Sequence, residues 1–154
     1  MTRLTFLTVL ICSSLSLALS QAVAVRSVKV KGTLKCGNEV AKQAKVVLYR
    51  VPAEVNKVNP IEELDNRDIS PAGLFEVGAN TNGRPINETE LKPAIRVFHR
   101  CDVKEKAKDR SFQVRIPETF VSLGKTAKQT YDIGTLNLEL AYPDESSLEY
   151  GKKN

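Results

Sequence analysis

Apolar residues in this chain recur at every second position, in short runs separated by turn-forming residues. Between Ser27 and Lys35, Val28, Val30 and Leu34 alternate with Lys29, Lys31 and Lys35, and Cys36 falls on the apolar side. Ile95, Val97, His99 and Cys101 repeat the arrangement. Strand side chains alternate between faces with a period of two, so each cysteine ends an inward-facing stripe. A further strand is expected over Lys45 to Arg50, with Val46 and Leu48 on one side and Val47 and Tyr49 on the other. Pro52 and Pro60 then interrupt a polar connection, because proline fixes its own φ and cannot donate to a ladder. The turn Pro71-Ala72-Gly73 opens a strand over Leu74 to Ala79, and the Asn- and Gly-rich segment up to Arg84 closes it. Phe112 to Ile116 and Leu136 to Ala141 complete the clear set, with weaker candidates near Leu64 and Phe120 and one helical turn over Val103 to Lys108. Short strands at regular spacing, with no internal repeat and no sustained heptad, predict an all-β antiparallel sandwich of about seven or eight strands.

The N-terminus follows a different pattern. Arg3 gives a short positive start, Leu4 to Leu19 is apolar and broken only by Thr and Ser, and small residues follow at Ala18-Leu19-Ser20 and Ala22-Val23-Ala24. This is the order of a secretory leader, so residues 1–20 are expected to be removed, with cleavage as late as residue 24. A membrane anchor would need about 20 strongly apolar residues and stronger basic flanks. No later segment is apolar enough to span a bilayer, so the expected product is secreted and extracellular. Residues 25–142 then form one domain, large enough to bury a core, and residues 143–154 a polar tail.

Removing the leader also removes Cys12 and leaves an even count. A Cys36–Cys101 disulfide would close a loop of about 65 residues and, by chain entropy, stabilise the fold by about 4 kcal/mol. It would persist only in an oxidising compartment, which agrees with a leader. The other reading is two buried free thiols acting as small apolar groups.

The order of several short motifs matches a known family. Ser27 to Cys36, Val47-Leu48-Tyr49, Leu74-Phe75-Glu76-Val77-Gly78, Phe98-His99-Arg100-Cys101, Arg115-Ile116-Pro117 and Tyr131 to Leu136 resemble, in that order, the secreted transthyretin-like family of nematodes. The resemblance covers nearly the whole mature chain. It implies a transthyretin-like β-sandwich with its two cysteines bonded, found outside cells. It implies no activity, because a shared fold does not transfer function.

Hydroxyisourate hydrolases of the same fold use several histidines, an arginine and a Tyr-Arg-Gly-Ser tail. This chain has one histidine, His99, and ends Tyr150-Gly151-Lys152-Lys153-Asn154. That correspondence fails position by position, and Cys101 in a disulfide cannot serve as a thiolate beside His99. The expected catalytic set is therefore none. His99, on the inward face, is expected to be a hydrogen-bonded core residue. A zinc site wants three or four ligands and no second histidine exists, so no metal or cofactor is expected. The acidic run Glu62, Glu63, Asp65 and Asp68 lacks the spacing of a calcium loop and reads as a solvated edge or loop. Asn82-Gly83 signals a tight turn. Asn87-Glu88-Thr89 is a sequon, which makes Asn87 a candidate glycosylation site in a secreted chain.

Charge bears on partners. The formal net charge is +5, and between Lys92 and Arg115 basic residues far outnumber acidic ones. Lys104, Lys106, Lys108 and Arg110 are the candidate contact patch for an anionic extracellular partner, whether a protein, a glycan or a lipid surface. The competing reading is a solvated turn with charges of both signs. Nucleic acid is not expected, since no stacking aromatics accompany the patch. Two function classes emerge: a secreted, non-enzymatic binding or signalling module, and a carrier of a small apolar ligand in an oligomer channel, as transthyretin is.

Overall fold

The computed structural model describes residues 24–51, 62–85, 89–104, 108–147 and 150. The leader expected over 1–20, the sequon residue Asn87 and the patch residue Lys106 lie outside the described residues. The strands are β1 (Arg26–Cys36), β2 (Glu39–Val40), β3 (Lys45–Arg50), β4 (Glu62–Asp68), β5 (Leu74–Asn80), β6 (Pro93–His99), β7 (Arg110–Arg115), β8 (Ser122–Leu123), β9 (Tyr131–Asn137) and β10 (Ser146–Ser147). They form two sheets. In the first, β1 is the spine, with β5 antiparallel along Ser27↔Asn80 to Thr33↔Leu74 and β9 parallel along Val30↔Tyr131 to Lys35↔Asn137. The short strands β2 and β8 also pair with β1. The second runs β10-β7-β6-β3-β4, antiparallel throughout.

The expected sandwich is present, and its alternation carries the core. Val28, Val30, Leu34, Phe75 and Val77 of the first sheet meet Val46, Leu48, Ile95, Val97 and Phe112 of the second. Gly32 sits in the same stripe because no side chain fits there: a Cβ would stand 2.4 Å from Ile133 Cγ2 and 2.9 Å from Phe75 Cε1. Gly73 is required for a different reason. Its φ of +78° and the 2.6 Å from a would-be Cβ to the Leu34 carbonyl both demand glycine in the turn before β5.

Several expectations shift. The candidate near Leu64 is β4, and its acidic residues make it a charged edge of the second sheet. The candidate at Phe120 is instead a single 3-10 turn, Glu118–Phe120, just before β8. The strand expected over Leu136 to Ala141 begins earlier and ends at Asn137. There the Asn137 side chain accepts from the Gly37 and Glu139 amides, and its carbonyl accepts from the Tyr142 hydroxyl, which turns the chain. Of Val103 to Lys108, the described residues 103, 104 and 108 are not helical. The sandwich also continues beyond residue 142: Tyr142 stacks on Phe112 with centroids 4.0 Å apart, and β10 pairs with β7.

The outer face of the second sheet is more buried than its pattern suggests. Val47, Ala94 and Phe98 are buried on the face opposite the core. Tyr150 packs edge-on to Phe98, lies under the Lys45 ammonium at 5.1 Å and donates to Glu63 at 3.0 Å.

Candidate functional site

At one end of the sandwich, the last residue of β1 and the turn after β6 are joined by the Cys36–Cys101 disulfide, with Cα atoms 5.7 Å apart. The two inward stripes converge there, and the loop that follows Cys101 carries the basic candidates. Arg100 anchors the loop by pairing with Asp109 at 2.8 Å and donating to the Lys104 carbonyl at 3.3 Å. Lys104 and Lys108 project from it, exposed and outside every ion pair of the described residues.

Arg110 does not belong to this exposed set. Its guanidinium pairs with Glu145 through Nε and Nη2 and donates to the carbonyls of Cys101 at 3.2 Å, Leu138 at 3.1 Å and Leu140 at 3.1 Å. The hydrogen bonds from Arg110 hold the Glu145 carboxyl below its usual range. Arg110 thus ties the chain after β9 to β7, a structural role its position in a basic run did not signal.

His99 lies beneath this strut, 1% exposed, with its ring edge-on to Phe112 at 6.0 Å. It is a core residue as expected, but neither ring nitrogen has a hydrogen-bond partner among the described residues. Burial, reinforced by the Arg110 charge and only partly opposed by Glu145, Asp109 and Asp102, pushes its pKa down to about 4. The imidazole is therefore neutral at physiological pH and cut off from solvent. Ligand atoms of Cys36, Cys101 and Asp102 lie within 4.8 Å of one another, yet the two sulfurs are bonded and offer no thiolate to a metal.

The exposed face of the first sheet is polar. Lys29 pairs with Glu76 at 2.7 Å and Lys31 with Asp132 at 3.4 Å. Beside them lies an open depression of about 480 Å³, lined by Lys31, Thr33, Leu74, Phe75, Glu76 and Asp132. The end of the sandwich away from the disulfide holds a cluster that the sequence did not single out. Glu62 accepts both prongs of the Arg84 guanidinium at 2.6 Å and lies 3.4 Å from Arg50. These residues come from three segments, and only the period-two register, which puts Arg50 on the Leu48 face, gave any signal of it.

Among the described residues, no helix is long and apolar enough to cross a membrane. Residues 31–117 match the transthyretin-like family (TTR-52). The chain is also similar to curated proteins of Caenorhabditis elegans. It is 34% identical to transthyretin-like protein 46 over 130 residues, covering 84% of this chain and 69% of that protein. It is 29% identical to transthyretin-like protein 33 over 127 residues, covering 82% and 84%. With transthyretin-like protein 2 the identity is 31% over 123 residues, covering 79% and 80%. By its two-sheet fold, its disulfide and these relationships, the chain belongs to the transthyretin-like family.

Proposed function

We propose that the protein is secreted and acts as a non-enzymatic binding module, meeting an anionic extracellular partner through the loop between Cys101 and Arg110. The observation that carries this reading is the contrast within that loop. Arg100 and Arg110 are committed to Asp109 and Glu145, whereas Lys104 and Lys108 stand exposed without an acidic partner among the described residues. A lysine is a compact point charge on a flexible stem, suited to a phosphate, sulfate or carboxylate surface. Lys106 and Asn87 enter as a third loop cation and a glycosylation site on sequence grounds alone. The non-enzymatic part rests on chemistry: the single histidine is buried and neutral, and both cysteines of the mature chain are oxidised. General acid–base and thiolate chemistry near neutral pH thus lose their usual side chains.

The carrier reading draws support from the 480 Å³ depression, whose volume is in the range of small-ligand sites. Its lining is mixed: Leu74 and Phe75 offer apolar surface beside the Lys31–Asp132 pair. Light scattering on the eluted mature protein separates the two, since a monomer removes any channel between subunits. Binding to heparin and to vesicles of anionic and neutral lipid, from low salt to about 1 M, tests the favoured reading. Salt-sensitive binding to an anionic surface is expected, and no binding at low salt would leave the loop a solvated turn.

A further inference from the structure

We propose that His99 and the Arg110–Glu145 pair form an acid-operated latch, which holds the strap of residues 140–147 on β7 near neutral pH and releases it as the pH falls. His99 and Arg110 stand directly opposite each other in the β6–β7 ladder, so their side chains share one face. That guanidinium grips the strap. It pairs with Glu145 through two nitrogens and donates to the Leu140 carbonyl at 3.1 Å. The strap's other holds on β7, among the described residues, are mostly polar: Ser146 and Ser147 pair with Ser111 and Arg110, and Ser146 meets the Ser111 hydroxyl. Its aromatic anchor is Tyr142, stacked on Phe112 at 4.0 Å, and Phe112 in turn stands edge-on to the His99 ring at 6.0 Å. The imidazole thus adjoins both fastenings, the ion pair and the stack.

His99 is 1% exposed, and neither ring nitrogen has a hydrogen-bond partner among the described residues. A proton there would set an imidazolium across from a guanidinium in a site closed to solvent, which desolvation and like-charge repulsion both disfavour. The charged groups acting on the ring are Arg110 on β7, Glu145 on the strap, and Asp102 and Asp109 on the loop between β6 and β7. Burial and Arg110 outweigh the three carboxylates, so the closed protein keeps the ring neutral. Once the strap parts, water reaches the ring and it binds a proton with its ordinary affinity. The open form therefore takes up the proton more strongly than the closed form, and opening is favoured increasingly as pH falls below 6.5. The strap is the element to yield, because local opening selects segments with few buried apolar contacts. None of residues 140–147 is fully buried, whereas β1 and β5 carry Val28, Val30, Leu34, Phe75 and Val77 of the core.

The test is amide hydrogen exchange of the oxidised mature protein at pH 7.5 and 5.0, corrected for the intrinsic pH dependence of exchange. This range ends above the ordinary carboxylate values, so the histidine alone is read. The reporters are the Leu140, Tyr142 and Glu145 amides, which donate to the Asn137 carbonyl, the Glu145 carboxylate and the Tyr142 carbonyl. Their opening constant should rise about thirtyfold between the two pH values, given a ring that titrates at 6.5 when open and about 4 when closed. At both pH values they should open more readily than the amides of β1 and β5. In His99→Phe, or in His99→Gln should the first variant fail to fold, that rise should vanish. Strap protection insensitive to pH, a strap that opens with the same constant as β1 and β5, or an undiminished rise in the His99 variants would each overturn the proposal. The wild-type comparison of strap with sheet stands on its own, so the result does not depend on every variant folding.

Discussion

A buried, uncharged histidine makes stability depend on pH in a defined window. The folded-state pKa of His99, about 4, lies below its ordinary value of 6.5, so the unfolded chain takes up the proton more readily. Stability from this group is complete above pH 6.5 and is lost as pH falls toward 4. Integrating the linkage between pH 7.5 and 4.5 gives a loss of about 2.5 kcal/mol. The carboxyls held below their usual range, Glu145, Glu62 and Asp132, also lose stability on acidification, but they do so from the ordinary carboxylate range downward. The fall from pH 6.5 to the upper edge of that range therefore belongs to His99. Urea unfolding of the oxidised protein at half-unit pH steps reads it out, with a fall in midpoint of about 1 M or more for a domain of this size. In His99→Phe the slope across that window should vanish, whatever the absolute stability of the variant. Parallel slopes for the two proteins would refute the reasoning, as would an imidazole resonance titrating near 6.5 in the native protein.

Other outcomes follow from packing and covalent structure. Gly32→Ala drives a methyl against Ile133 and Phe75 and should destabilise by about 1–3 kcal/mol in thermal or urea unfolding. Arg110→Gln strips Glu145 of its partner and leaves three carbonyls without their donor, and should cost about 2 kcal/mol or more. Lys104→Ser and Lys108→Ser, at exposed positions, should each change stability by less than about 0.5 kcal/mol. Intact mass without reductant should be two hydrogens below the reduced mass, and reduction should lower stability by about 4 kcal/mol.

Much of the fold was legible because the inward stripes are strict. Val28, Val30 and Leu34 against lysines, and Ile95 and Val97 leading to Cys101, place two strands and the disulfide without further information. Less legible was whatever depends on partners distant in sequence. The strand at Tyr131–Asn137 has no clean alternation, since it pairs parallel with β1 across an irregularity between Lys31 and Thr33. On the outer face, Phe98 packs against Tyr150, far along the chain. Arg110 reads as one more cation in a basic run, and only the fold brings Glu145 and three carbonyls to it. The arginines around Glu62 carry no local motif at all. Lys35 and Lys42, distant in sequence from the basic loop, also lie at the disulfide end, where Lys42 shares a small depression with Arg100 and Asp102. They are thus unsuitable as a charge-matched comparison for that loop, whereas the exposed Lys125 and Lys128 near β8 suit the purpose.

The central claim is that an anionic partner is met by a localised surface and not by net charge. Its most direct measurement compares binding of three proteins to heparin and anionic vesicles at low and high salt: the wild type, Lys104→Ser with Lys106→Ser and Lys108→Ser, and Lys125→Ser with Lys128→Ser. Loss of salt-sensitive binding in the loop variant, with near wild-type binding in the other, is the predicted result. Losses in both variants in proportion to the charges removed, three in one and two in the other, would contradict the account.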